Sequence, residues 1–365
     1  MISLENVSKR YGELYAVKDL SFTVEQGEFC CLIGPSGCGK STTLKMVNRM
    51  IEPSGGTITV AGEDIAESSP EKLRRSMGYV IQSIGLFPHM TVTDNIRVVP
   101  RLLGWEEEKS RKRAMELLEL FELAPAEFAD KYPSELSGGQ AQRVGVARAM
   151  AADPKILLMD EPFGALDPIN REHLQDRFLA IQSELKKTIL FVTHDIDEAV
   201  RLGSKVALLR DGELVQYDSP ETLLSSPVNS FVKKFVGLDR ALKRLSRMQV
   251  KDFVRPAGQV RRDSPADALH AEFKRMEEQD CARYLWVTDA EGKLVGWIDG
   301  EVSNGNVDME EDLVVVDVGD MSVKSGHSLK QALSMFVQQG VACLPVLDDQ
   351  SRLRGEIRLA DVLES

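Results

Sequence analysis

The sequence predicts an α/β fold for the first two thirds of the chain, followed by a smaller α+β region. Short, continuous apolar runs at residues 29–33, 156–159 and 189–192 are typical of parallel strands that are buried on both faces. Helical patterns separate these runs, and this alternation indicates a sheet covered by helices. The first run leads directly into a glycine-rich loop ending in Lys40 and Ser41, which is typical of phosphate-binding α/β domains.

Length and composition restrict the class of protein. The chain has 365 residues, of which 43% are hydrophobic and 28% charged, which predicts a globular protein of two or three domains. We find no apolar run near the roughly 18 residues that would span a bilayer, and no signal-peptide pattern. A net charge of −12 argues against nucleic acid as a partner. The cysteines show no paired spacing, which predicts free thiols in a reducing cytosol; they are Cys30, Cys31, Cys38, Cys281 and Cys343.

Two further features belong to the α/β region, which we place at residues 1–236. Residues 85–152 are mostly helical in pattern and predict a helical subdomain inserted into the sheet domain. Residues 206–216 contain Asp211 and Gly212 between apolar segments, the signal of a tight hairpin.

A basic segment follows this region. Residues 240–262 contain eight Lys or Arg residues against Asp252 alone; the eight are Arg240, Lys243, Arg244, Arg247, Lys251, Arg255, Arg261 and Arg262. The segment is interpreted either as a solvated linker helix, with the linker itself at residues 237–249, or as a surface for an anionic partner.

The remaining sequence repeats itself with an offset of about 60 residues. Residues from Ser264 onward and residues from Ser328 onward share the order helix, strand, turn, strand. This pattern resembles a tandem pair of CBS domains, which are small regulatory modules, and we place the two copies at residues 250–311 and 312–365.

The glycine-rich loop fits the pattern G-x-x-x-x-G-K-[ST] in full. Its glycines allow backbone N–H groups to turn toward phosphates, and the helix that follows adds its partial positive charge. Lys40 is expected to reach the β- and γ-phosphates, and the Ser41 hydroxyl is expected to ligate Mg²⁺. The predicted nucleotide-binding residues of this P-loop are Gly34, Pro35, Ser36, Gly37, Cys38, Gly39, Lys40, Ser41 and Thr42.

Two acidic residues end a later apolar strand. Asp160 closes the run at residues 156–159, and Glu161 follows it. Asp160 is expected to lie near the magnesium ion, and Glu161 beside the γ-phosphate, where a carboxylate can orient and deprotonate the attacking water.

The segment LSGGQ at residues 136–140 holds neither a general base nor a metal ligand. Together with the P-loop and the Asp-Glu strand end, it resembles the signature of the ATPases of ABC transporters over about residues 1–236. In that family two ATPases pair head to tail, and LSGGQ of one covers the ATP held by the other. The resemblance implies that Ser137, Gly138, Gly139 and Gln140 bind the partner's ATP, as expected of N–H groups at a helix start.

Other family elements occur in the expected order. The resemblance implies that Gln82 ligates Mg²⁺ in the Q-loop and that His194 contacts the γ-phosphate. Residues 165–167 resemble the D-loop, so that Asp167 lies at the dimer interface. Tyr11 occupies the place of the aromatic residue that stacks on adenine, with packing in a strand as the alternative.

An ABC ATPase with tandem CBS domains resembles the ATPase subunits of importers for quaternary-amine osmoprotectants: glycine betaine, carnitine, choline or proline betaine. The resemblance implies a homodimer on the cytoplasmic face of the membrane that serves permease subunits and, indirectly, a solute-binding protein. The permease is expected near residues 82–92, where Phe87 and Met90 line a groove or else pack internally. The alternatives are an importer of another solute and a soluble ABC ATPase acting on DNA or ribosomes.

Both CBS copies depart from the family pattern that binds adenosine nucleotides. The first copy has Asp299 where the pattern needs a hydroxyl, and Val302 three residues further on. The second keeps Asp361 but has Arg358 at the hydroxyl position. The resemblance leaves two anionic partners for the CBS and linker region: cyclic di-AMP, which some relatives bind, and anionic lipid.

Overall fold

The computed structural model describes residues 1–82, 85–164, 166–237, 239–278, 284–300, 309–315 and 321–364. Ser83, Ile84, Ala165 and Val302, which belong to predicted motifs, and Cys281, a predicted free thiol, lie outside these ranges. The chain divides into an N-terminal unit, Met1–Leu238, and a C-terminal unit, Asp239–Ser365. No helix within the described ranges is both long and apolar enough to cross a membrane.

The strands of the N-terminal unit form two sheets. Its strands are β1 (Ile2–Tyr11), β2 (Leu14–Val24), β3 (Phe29–Ile33), β4 (Gly55–Val60), β5 (Glu63–Asp64), β6 (Met77–Val80), β7 (Ile156–Asp160), β8 (Thr188–Val192), β9 (Lys205–Arg210) and β10 (Glu213–Asp218). One sheet is antiparallel with the order β2-β1-β4-β5. The other has the order β10-β9-β3-β8-β7-β6 and is parallel from β9 to β6.

Ten helices cover these sheets in the described part of the N-terminal unit. They are α1 (Lys40–Val47), α2 (Pro70–Ser76), α3 (Val92–Leu102), α4 (Glu107–Leu120), α5 (Pro125–Phe128), α6 (Gly138–Met150), α7 (Pro168–Leu185), α8 (Ile196–Leu202), α9 (Pro220–Ser225) and α10 (Ser230–Val236). Helices α3 to α6 lie between β6 and β7 in the chain. The α/β fold is therefore confirmed.

The parallel strands are buried on both faces, as their sequences predict. Every residue of β3, β7 and β8 is buried. Alternate residues of β3 enter different cores, because successive side chains of a strand point to opposite faces. Cys31 and Ile33 pack among the helices on one side, whereas Cys30 and Leu32 pack toward the antiparallel sheet.

One local prediction, the hairpin, is confirmed, and the expectation of free thiols agrees with the four cysteines that the structure describes. β9 and β10 form an antiparallel hairpin closed by Asp211 and Gly212, whose φ angles of 51° and 84° are those of a type I′ turn. Four cysteines, Cys30, Cys31, Cys38 and Cys343, are buried free thiols.

The C-terminal unit contains two copies of one motif, as the repeat predicts. Its elements are α11 (Arg240–Leu245), β11 (Gln259–Arg261), α12 (Ala266–Glu278), β12 (Tyr284–Thr288), β13 (Leu294–Asp299), β14 (Val314–Val315), β15 (Val323–Lys324), α13 (Leu329–Gln339), β16 (Cys343–Leu347), β17 (Leu353–Arg358) and α14 (Leu359–Glu364). In each copy a strand runs parallel to the first strand of a hairpin, β11 beside β12 and β15 beside β16. Trp286 and Leu294 of the first copy pack against Cys343 and Leu347 of the second.

The first part of the basic segment, residues 240–255, packs on the second copy. Leu245 of α11 and Val250 pack in the core of that copy. The Val250 N–H donates to His327 O at 2.9 Å, and the backbones of Arg255 and Glu356 exchange hydrogen bonds of 2.8 and 3.0 Å. Residues 240–255 therefore continue the second copy rather than forming a free tether.

Acidic residues neutralise part of the basic segment. Lys243 lies 3.5 Å from Asp239, and the Arg261 side chain is paired with Asp263. Arg244, by contrast, is exposed. The charge that the segment presents to a partner is therefore smaller than its composition indicates.

Candidate functional site

The P-loop lies between β3 and α1, and its backbone excludes side chains at two glycines. Gly34 has a φ of 144°, and a Cβ there would lie 2.2 Å from Leu209 O. Gly39 has a φ of 101°, and its Cβ would lie 2.5 Å from Ala16 O. Only glycine fits both positions without displacing neighbouring backbone. These two constraints suit a phosphate-binding loop, in which glycines allow backbone N–H groups to turn toward the phosphates of a nucleotide.

Lys40 begins α1 and folds back over the loop. Its Nζ donates to Gly34 O at 2.7 Å and to Pro35 O at 3.0 Å, and Cys38 Sγ lies 3.8 Å away. The side chain is buried, so the ammonium group is held where phosphates would enter. The other P-loop positions, Ser36, Gly37 and Thr42, flank this group in the chain.

Ser41 and Asp160 meet across the carboxyl edge of the parallel sheet. Ser41 Oγ donates to Asp160 Oδ1 at 2.9 Å. Burial raises the pKa of the Asp160 carboxyl, while the Ser41 hydrogen bond opposes that change. A hydroxyl and a carboxylate oxygen side by side are ligands that suit a hard divalent cation.

Glu161 contacts two other catalytic candidates, Gln82 and His194. Gln82 Nε2 donates to Glu161 Oε2 at 3.1 Å, and His194 Nδ1 lies 3.2 Å from the same oxygen. Glu161 has a φ of 45°, a conformation that costs a non-glycine residue about 1–3 kcal/mol. Its N–H donates to Val192 O at 2.9 Å, which holds the residue in place. The structure therefore brings together Ser41, Gln82, Asp160, Glu161 and His194.

The signature residues form a preorganised helix start. Ser137 is the N-cap of α6, where its Oγ accepts from the Gln140 N–H at 3.3 Å and its own N–H donates to Gln140 Oε1 at 2.9 Å. Such a capping box contributes about 1 kcal/mol to a helix. Gly138 and Gly139 follow as the first helical residues. The side chains of Ser137 and Gln140 bond to each other's backbone N–H groups, and among the described residues no hydrogen bond joins either side chain to the P-loop of the same chain.

Two further predicted residues lie at exposed positions. Tyr11 ends β1 with 53% of its surface exposed, and Lys9 Nζ lies 5.1 Å from its ring centroid. The ring is therefore available for stacking and is not packed in the core. Asp167 is exposed one residue before α7.

Glu198, a buried carboxylate four residues after His194, is not predicted from the sequence. Glu198 accepts from Thr193 Oγ1 at 2.6 Å and from Gln175 Nε2 at 3.0 Å. Burial raises its pKa, and the Thr193 hydrogen bond opposes that change. The contact fixes the turn that carries His194 to α7, which follows the D-loop segment. The available sequence signal is an acidic residue within the first turn of the helix that follows Asp195, and this pattern is equally typical of ordinary helix N-termini.

This arrangement defines a P-loop enzyme that binds and hydrolyses a nucleoside triphosphate. A glycine-rich loop, a hydroxyl–carboxylate pair and a second carboxylate with two polar neighbours lie together at the carboxyl edge of one parallel sheet, as in enzymes that transfer phosphoryl groups.

Comparisons with known proteins agree with this class. The ABC transporter family model matches residues 17–164, and the CBS domain model matches residues 305–365. The glycine betaine/carnitine/choline transport ATP-binding protein of Bacillus subtilis is 44% identical over 100% of this chain and 96% of its own length. The osmoprotectant import ATP-binding protein of Salmonella typhimurium is 44% identical over 100% of this chain and 97% of its own.

A solved structure is also similar. The dimeric structure of MJ0796, a bacterial ABC transporter cassette, has a TM-score of 0.55 and 37% sequence identity, covering 60% of this chain and 98% of that one. The chain belongs to the family of ABC transporter ATP-binding proteins.

Proposed function

We propose that this chain is the ATP-hydrolysing subunit of an importer for quaternary-amine osmoprotectants. The observation that carries the proposal is the 44% identity to osmoprotectant-transport relatives along the entire chain, the CBS region included. The identity of the transported solute is inferred from those relatives, because the solute does not contact this subunit in the proposed complex.

The site residues have different roles in ATP hydrolysis. The P-loop N–H groups and Lys40 bind the phosphates, and Tyr11 stacks on adenine. Ser41, Asp160 and Gln82 would hold Mg²⁺, which neutralises phosphate charge when it is bound. Glu161 accepts a proton from the attacking water, and His194 orients Glu161 and the γ-phosphate.

A second copy of the chain completes each site. Ser137, Gly138, Gly139 and Gln140 present N–H groups and a hydroxyl at a helix start, which suits the γ-phosphate of a nucleotide bound to the partner. Asp167 lies at the same interface. The dimeric state of the similar cassette supports this assembly.

Permease subunits are proposed to bind near residues 82–92, where Phe87 is exposed at 40%. The subunit then lies on the cytoplasmic face of the membrane as a peripheral protein, and a solute-binding protein acts through the permease.

Reconstitution tests the transport function. We expect this chain, co-assembled with permease subunits in lipid vesicles, to hydrolyse ATP several-fold faster when glycine betaine and a binding protein are present. Lys40→Ala is the matched control and is expected to remove both basal and stimulated hydrolysis. Stimulation by DNA or ribosomes in place of betaine would instead support the soluble alternative.

The CBS pair is proposed to gate this activity through an anionic partner. In the nucleotide pattern a hydroxyl residue and an Asp would face the ligand at the positions of Arg358 and Asp361. Here Arg255 forms a two-point ion pair with Asp361, and Arg358 Nε donates to Glu356 at 3.0 Å. These internal pairs favour anionic lipid over cyclic di-AMP as the partner of the basic segment.

Salt dependence tests the lipid interaction. Surface attraction is screened over about 10 Å at roughly 0.1 M salt, so rising ionic strength should release an exposed basic patch and activate transport. We expect Arg240→Gln with Arg244→Gln to lower the salt threshold in vesicles of anionic lipid. Lys293→Gln, which removes an exposed charge far along the sequence, is the control. An unchanged threshold in the double variant would contradict the electrostatic switch.

A further inference from the structure

The loop at residues 85–91 is held in a fixed shape by one buried amide. Asn95, on α3, is fully buried. Its Oδ1 accepts from the Phe87 N–H at 2.8 Å, and its Nδ2 donates to Phe87 O, Met90 O and Thr91 O at 3.1, 3.1 and 3.0 Å. These hydrogen bonds fix the loop to the start of α3, while the Phe87 ring is exposed.

A second side chain reaches the same loop from the signature helix. Arg148 lies in the last turn of α6, and its Nη1 donates to Gly85 O at 2.7 Å. Its guanidinium lies 5.9 Å from the centroid of the Phe87 ring. Burial lowers the pKa of Arg148, and a guanidinium in such surroundings needs its hydrogen bonds to the protein. Displacement of the loop therefore costs the hydrogen bond between Arg148 and Gly85, unless the Arg148 side chain moves with the loop.

Helix α6 connects this contact to the signature. Ser137 caps its N-terminus, and Arg148 lies 11 residues later, a separation of about 16 Å along a helix. Ala141, Val144, Val146 and Ala147 are buried along its length, so the helix is packed as a rigid rod. A movement at Arg148 must then shift or tilt the residues around Ser137.

We infer that Arg148 is a positioning residue that couples the loop at residues 85–91 to the signature at the other end of α6. The inference rests on the proposed function, because it assigns to Arg148 the transmission of permease movement. A permease pressing on the loop would move Arg148, and α6 would then place Ser137 correctly or incorrectly over the partner's ATP. Arginine suits this task because its planar group can donate to a carbonyl and lie over an aromatic ring at once, whereas lysine supplies only a point charge.

The chain provides a matched control on the same helix. Arg143 Nη1 donates to Phe121 O at 3.3 Å and lies 3.8 Å from Glu122. It is the same residue type on α6 and also contacts a backbone carbonyl, but it faces the end of α4 instead of the loop. Arg148→Met and Arg143→Met therefore remove comparable groups with different partners.

The experiment measures two rates for each variant. The first is the basal ATP hydrolysis of the purified chain, and the second is the stimulation by glycine betaine in vesicles that contain the permease and binding protein. We expect Arg148→Met to keep basal hydrolysis within about 2-fold while lowering the stimulation by about 10-fold, within the usual range for coupling residues. Arg148→Lys should lose part of the stimulation, and Arg143→Met should lose none.

Three results would overturn the inference: an unchanged stimulation in Arg148→Met, an equal loss in Arg143→Met, or a proportional loss of basal and stimulated rates in both Arg148 variants. Arg148→Lys keeps the charge and can keep the carbonyl contact, so it supplies the comparison if the methionine variant does not fold. Failure of the proposed function would give a different result, because the unaltered chain would then show no stimulation by betaine.

Discussion

A Glu161→Gln chain is expected to bind ATP with little change and to hydrolyse it more slowly by on the order of 10²-fold or more. Glutamine keeps the size of the side chain and can still contact Gln82 and His194, but it cannot accept the proton of the attacking water. Steady-state phosphate release measures the effect. Glu172→Gln is the control, since it removes an exposed carboxylate that pairs with Arg201. A rate within a few-fold of the unaltered chain would exclude Glu161 as the general base.

The second large effect is expected at the signature. Ser137→Arg places a bulky cation at the start of α6, where we propose that the partner's γ-phosphate binds, and hydrolysis should fall to background. ATP binding to the purified variant should remain, because the P-loop of the same chain is intact. Lys40→Ala should instead lose ATP binding. Loss of binding in Ser137→Arg monomers would show that the signature acts on its own chain's nucleotide.

A mixture of Ser137→Arg chains and Lys40→Ala chains extends the test. Each mixed dimer contains one site with an intact P-loop and an intact signature, and one site in which both are damaged. We expect the mixture to hydrolyse ATP faster than either variant by itself, provided that one site can act without the other.

The sequence predicts the nucleotide site well because its determinants are local. Gly34, Gly39, Lys40 and Ser41 occur within one loop and the helix after it, and each has a conformational or chemical requirement that few residues meet. The same holds for the Asp211-Gly212 turn. The parallel strands are predictable because burial on both faces leaves a continuous apolar run.

Contacts between distant segments are not predictable in this way. Arg148 and Gly85 are 63 residues apart, and Glu198 and Gln175 are 23 apart. No local pattern marks either pair. From the sequence, an arginine in a helix is expected to be a solvated charge, and only the folded loop at residues 85–91 shows that Arg148 is half-buried.

The basic segment illustrates the same limit. Its composition indicates either a solvated linker or a surface for an anionic partner. In the structure, Val250 bonds to His327, and Arg255 bonds to Glu356 and Asp361. Gly355 makes room for them, since a Cβ at that position would lie 2.3 Å from Arg255 O. None of these pairings can be predicted from the pattern of charges in the sequence.

The central claim is that two copies of this chain form two shared ATP sites. Static light scattering of the Glu161→Gln chain, with and without saturating Mg-ATP, tests it most directly, because slow hydrolysis preserves the ATP-bound state. The composite site predicts a mass near 81 kDa with Mg-ATP, twice the 40.5 kDa of one chain, and a lower mass when Ser137→Arg is added to the same chain. A monomer at saturating Mg-ATP would contradict the claim.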